Sequence, residues 1–164
     1  MTVSKLERAI DAALTLQQEG DLEGAARAFL AAQPLAPKDH RLSDEAGNIF
    51  LYALERPLDA IPCFEKALAI FPEGEPTTAM WIKLGLAHSL AGHDERALHA
   101  LSTAGKQDPT NVNCFVEFGK HHLSQGRYQD AFEYFQTAHA HFHMQQQFGS
   151  VLGGGGMNLS LIHI

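Results

Sequence analysis

Apolar residues along this chain recur at alternating intervals of four and three, the period of a helix that buries one face. Ala25, Phe29 and Ala32 stand in that relation, as do Ala60, Phe64 and Ala67; Ala97, Leu101 and Ala104; and Ala131, Phe135 and Ala138. The first alanines of successive sets lie 35, 37 and 34 residues apart. A pattern returning at that period is an internal repeat. Each set predicts the second helix of a hairpin: its alanines let a neighbour approach closely, and its larger residue fills the space between. Turn signals fall where the hairpins must bend, at QEGDL, LAGHD and SQGRY. Pro37, Pro72 and Pro109 each follow a predicted helix and stop it. One hairpin alone exposes an apolar face, so stacking drives such a fold.

A second marker, glycine, precedes three of these sets at Gly47, Gly85 and Gly119, and in the third it belongs to the string Trp81-x2-Leu84-Gly85. Together the strings resemble the tetratricopeptide signature, W-x2-L-G-x2-Y followed by A-x3-F, A and P. The resemblance implies an all-α fold, a right-handed superhelical solenoid of antiparallel helix pairs. Its expected repeats span about 6–39, 40–73, 78–111 and 112–145, within a domain of residues 1–147.

The departures from the pattern carry expectations of their own. The second copy has one extra residue between Gly47 and Ala60, and its turn, LERPLD, lacks glycine. Pro62 falls in or just past the first turn of that copy's second helix, harmless if the helix starts late and a source of a kink if it starts early. PEGEPTT lengthens the loop between the second and third hairpins. In the first copy Ala13 stands in the glycine position, and in the fourth His143 stands where proline would end the helix, which can then continue through Met144 and Gln147.

Residues 148–164 fit no part of the repeat and read as a glycine-rich tail, with Gly153–Gly156 as a flexible link. The last six residues, LSLIHI, are what CTG TCT CTT ATA CAC ATC encodes, which resembles a transposon-end sequencing adapter. They are expected to be non-native, and the natural chain to continue.

Charge narrows the partners. Nineteen acidic residues against twelve basic ones give a formal net charge of −7, with no basic run, which disfavours nucleic acid. No stretch approaches the ~18 consecutive apolar residues of a membrane span, and the N-terminal segment has no signal-peptide core. Cys63 and Cys114 form no metal or disulfide pattern and suit a reducing, cytoplasmic compartment. No catalytic motif is present, so the expectation is a protein without enzymatic activity and without cofactor or metal. Five of the ten histidines lie in the fourth hairpin, where His139 and His143 share a helical face. No carboxylate or cysteine nearby completes a metal shell, and they read as surface histidines.

The tetratricopeptide resemblance also implies where a partner binds: the first helix of each hairpin lines a concave groove. Carried onto this chain, the groove positions are Arg41, Asp44, Asn48, Leu51 and Tyr52; then Ile82, Leu86 and Ser89 with Lys83 beside them; then Asn113, Val116, Lys120 and Leu123. The carboxylate clamp of heat-shock cochaperones is not expected, because Asn113 and Glu117 occupy places where basic residues belong. The function so implied is a non-enzymatic interaction module that holds a peptide or protein segment. Two alternatives are the N-terminal repeat module of a longer enzyme such as a transferase, and a small chaperone of secretion substrates. An uncapped last hairpin leaves open a monomer or a weak homodimer.

Overall fold

The structure, a computed structural model, describes the backbone of residues 3–162 and the side chains of residues 3–151. The side chains of the LSLIHI segment, and His163 and Ile164 altogether, lie outside the described residues, and with them the expectation that this segment is non-native. Among the described residues eight α-helices follow one another: α1 (Lys5–Gln18), α2 (Leu22–Ala32), α3 (His40–Asn48), α4 (Pro57–Ala69), α5 (Thr78–Leu90), α6 (Asp94–Gln107), α7 (Val112–Ser124) and α8 (Tyr128–Ile162). No strand occurs among the described residues. The chain divides into two compact units, Met1–Gln107 with three hairpins and Asp108–Ile164 with one.

Local chemistry starts the helices where the sequence supplies caps. Ser4 and Glu7 form a reciprocal capping box on α1: the Glu7 amide donates to Ser4 Oγ at 3.0 Å and the Ser4 amide to Glu7 Oε2 at 2.7 Å. Asp21 accepts from the Gly24 amide at the start of α2, and Asn111 from the Cys114 amide at the start of α7. Pro57 occupies the first position of α4, where its missing N–H costs nothing. Helix α4 thus starts early and places Pro62 in its interior, so the carbonyl of Leu58 lacks its usual donor.

The repeat alanines and glycines act together. Ala25, Ala60, Ala67, Ala97 and Ala104 are fully buried, as are Phe64 and Leu101. Gly47, on α3, faces Phe64 of α4 so closely that a β-carbon there would lie 2.6 Å from the ring. Gly85 stands in the same relation to Leu101, at 2.8 Å. Glycine is therefore required by the approach of the two helices, not by backbone conformation. In the first hairpin Ala13 and Phe29 both belong to the core cluster, an alanine being tolerated there. Phe135 of the second unit is only half-buried, because α8 has only α7 within its unit to pack against.

Three hairpins turn through a glycine in the left-handed region, Gly20, Gly92 and Gly126. The second turns differently. The extra residue noted in the sequence is absorbed as a π-helical turn over Ile49–Ala53, closed by the Leu54 amide donating to the Ile49 carbonyl at 3.0 Å. Glu55 then takes the positive φ that glycine takes elsewhere.

The link from α2 to α3 is held by a buried side-chain network. Ser43 Oγ donates to Gln33 Oε1 at 2.7 Å, while Gln33 Nε2 donates to the carbonyls of Ala36 and Asp39. Both side chains are almost inaccessible, so every bond in the network matters.

Helix α8 runs beyond the last repeat. It passes Met144 and Gln147 and continues through the backbone of Gly153–Gly156, where the composition predicts a flexible link. With no proline after Pro109, nothing blocks the helix sterically, although each glycine costs ~1 kcal/mol relative to alanine there.

Candidate functional site

In the first unit, α3 and α5 present adjoining faces, joined by an ion pair. Lys83 Nζ lies 2.7 Å from Asp44 Oδ1, with both side chains about one-fifth exposed. Lys83 also stands over the ring of Phe64, 5.9 Å from its centroid. One turn beyond Asp44, Asn48 is partly buried, and its Oδ1 finds no hydrogen-bond partner among the described residues. On α5, Ile82, Leu86 and Ser89 are partly exposed and stand at helical spacing from one another, with Lys83 beside them. Ile82 and Leu86 give α5 an apolar strip on the helix that also carries the ion-paired Lys83.

Other predicted positions divide. Tyr52 is exposed. Arg41 is exposed and locked to its neighbour, with Nε and a terminal nitrogen bonded to the two Asp39 carboxylate oxygens at 2.8 and 2.7 Å. That fork holds the Asp39 carboxyl below its usual range, so Arg41 is already engaged at the edge of the surface. Leu51 is a correction. It is 3 % exposed and belongs to the core cluster, because the π-helical turn at Ile49–Ala53 breaks the α-helical register on which its groove position rested.

The second unit carries its predicted positions on α7. Asn113, Lys120 and Leu123 are exposed and Val116 is partly exposed. Lys120 lies 2.8 Å from Glu117, whose own side chain is largely buried. Lys83 and Lys120, one in each unit, are thus each paired with a carboxylate.

Among the described residues, three buried histidines escaped the sequence reading: His88, His121 and His122. A signal for two of them was available. Counting from Gly85 and Gly119, His88 and His122 occupy the tyrosine position of the W-x2-L-G-x2-Y string. His88 Nδ1 lies 3.2 Å from His93 Nδ1 across the turn between α5 and α6. Burial lowers the pKa of His88, assisted by His93, and burial likewise lowers that of His122. His139 and His143 pack edge to face, and among the described residues no group of three or more His, Cys, Asp or Glu side chains is placed to hold a metal. Cys63 and Cys114 are buried and not disulfide-bonded, and burial pushes their thiols up to about 11, away from the thiolate form at neutral pH. No helix among the described residues is long and apolar enough to cross a membrane.

Hairpins built on a glycine of one helix seated against a large residue of the next, at this repeat length, define a tetratricopeptide-type protein. A family profile described as "Anaphase-promoting complex, cyclosome, subunit 3" matches residues 58–145, more than half of the sequence, and the chain belongs to that family. It is also 32 % identical over 91 residues to a peroxisomal targeting signal receptor of Eremothecium gossypii, covering 56 % of this chain but only 16 % of the receptor. Among solved structures it is similar to MamA, residues 41 to the end, from Desulfovibrio magneticus RS-1, with a TM-score of 0.72 at 21 % identity over 86 % of this chain and 77 % of that one. Similarity to a chain of the APC/C hetero-tetramer Cut9–Hcn1 gives a TM-score of 0.64 at 19 % identity, over 81 % of this chain and 26 % of that one. At these identities the structural likenesses establish a shared fold.

Proposed function

We propose that the chain is a non-enzymatic interaction module that holds an extended or helical segment of a partner protein on the α3–α5 surface. The supporting observation is the pair Ile82 and Leu86, one turn apart and partly exposed on α5, the helix that the Lys83–Asp44 ion pair joins to α3. An apolar side chain of the partner would lie on Leu86. Binding through a repeat's inner helices is the usual work of tetratricopeptide proteins, and the resemblance to a targeting-signal receptor fits a peptide ligand. In the second unit, taken by itself, Asn113, Val116, Lys120 and Leu123 are the residues proposed to contact a partner. The proposed setting is the cytoplasm, with nucleic acid and membrane surfaces disfavoured by the acidic charge.

Peptides selected from a random library on the full chain supply the test. Leu86→Glu is expected to weaken their binding tenfold or more, about the hot-spot scale, with the helical circular-dichroism signal unchanged. Binding that survives Leu86→Glu would refute the assignment.

A further inference from the structure

A cavity of about 550 Å³ opens on the first unit between α4, α5 and α6. It is reached from a different face of α5 than the proposed partner surface, since Trp81, Leu84 and His88 line it, whereas Ile82, Leu86 and Ser89 do not. Its volume falls within the range of small-molecule sites, and its walls are mainly apolar, as such sites are. Leu84 and Trp81 come from α5 and Leu68 and Ala69 from α4. The indole is held on edge by His99, whose ring meets it at 85° with centroids 6.3 Å apart.

Charge selects among the ligands that such a cavity would take. Glu65 on α4 and Glu95 on α6 line it from opposite helices, both exposed, and neither makes an ion pair among the described residues. Arg96 contributes one positive charge, also without an ion pair, leaving one carboxylate in excess. His88 adds none at neutral pH, because its burial favours the uncharged ring. The aromatic face of Trp81 attracts a cation in addition.

We propose that this cavity binds an organic cation, an aromatic or aliphatic body ending in an ammonium group. The body lies between Trp81, Leu84 and Leu68, and the ammonium is held by Glu65 and Glu95. An anionic ligand of the same shape meets the excess carboxylate and is rejected.

Trp81 is the single tryptophan of the chain, so its fluorescence reports occupancy directly. The full chain is titrated with three probes of one shape: 2-phenylethylamine, 2-phenylethanol and 3-phenylpropionate. The amine is expected to give a saturable change at a concentration up to about fivefold below the alcohol, the factor of one exposed ion pair, with the carboxylate weakest. Glu65→Gln with Glu95→Gln, both at exposed positions, is expected to bring the amine to the level of the alcohol. Ala69→Phe fills the cavity from its exposed rim and is expected to abolish binding of both. No saturation by the amine, equal binding of amine and alcohol by the unaltered chain, or full binding by Ala69→Phe would each overturn the proposal. Leu86→Glu, which disables the proposed partner surface, leaves the amine titration unchanged, so the two readings fail separately.

Discussion

Gly119 of α7 lies directly against the ring of Phe135 of α8, where a β-carbon would come within 2.5 Å of Cε1 and 2.7 Å of Cδ1. The same relation joins Gly47 to Phe64 and Gly85 to Leu101, so one contact recurs in three of the four hairpins. It explains why glycine is placed mid-helix at all, against a propensity cost of ~1 kcal/mol. The gain is close approach of two helices, with the large residue of one filling the notch in the other.

Replacing these glycines therefore separates propensity from packing. In an open helix Gly→Ala stabilises by up to about 1 kcal/mol. At Gly85 the added carbon meets Leu101, which is fully buried and cannot move aside. Gly85→Ala is expected to destabilise the chain by about 1–3 kcal/mol, as overpacking does, measured by urea denaturation. Gly119→Ala should cost less, because Phe135 is half-buried and has room to turn. A stabilising Gly85→Ala would contradict the packing described.

These contacts also show how far the sequence could be read. The hairpins are legible because the four-three spacing of Ala25, Phe29 and Ala32 is a local property of a helix, and its recurrence leaves one arrangement that buries every copy. The extra residue before Ala60 is visible too, but sequence alone does not say where it goes. Its absorption into the π-helical turn at Ile49–Ala53 sent Leu51 into the core and left Tyr52 exposed. His88 could have been singled out from its place three residues after Gly85. The cavity beside it could not, because Leu68, Trp81 and Glu95 converge only through tertiary packing.

The Gln33–Ser43 network offers a test of buried polar bonding. Ser43→Ala removes the hydroxyl that donates to Gln33 Oε1 and leaves that acceptor unsatisfied in an inaccessible place. The expected cost is about 1–3 kcal/mol, read from the denaturation midpoint. Changing both residues together, Gln33→Leu with Ser43→Ala, should cost less than the sum of the single changes, since they share a partner.

Stability should fall on mild acidification. His88 and His122 both have pKa values lowered from 6.5 by burial, so the unfolded chain takes up protons more readily than the folded one. Their contribution is fully present above the unfolded value and declines as pH falls below about 6.5 toward the folded values. A thermal midpoint lower at pH 5 than at pH 7.5 is expected, with a smaller drop for His88→Gln combined with His122→Gln. An unchanged slope in that double variant would assign the acid response to other groups.

Leu51 and Leu86 provide the sharpest contrast between core and surface, because the family resemblance places both in the groove whereas the structure separates them. Leu51 is 3 % exposed inside the core cluster, and Leu86 only packs against its edge. A charge at Leu51 must be buried without a partner, a change that belongs to the most destabilising class. Leu51→Lys is expected to cost about 4 kcal/mol or more and to unfold much of the first unit. Leu86→Lys can carry its ammonium to solvent along its aliphatic stem, and should cost about 1 kcal/mol while removing the apolar anchor. Urea denaturation of the two variants decides the matter. Equal and large losses would place Leu86 in the core beside Leu51 and withdraw it from the partner surface, whereas a stable Leu86→Lys chain that no longer binds the selected peptides ties that surface to binding.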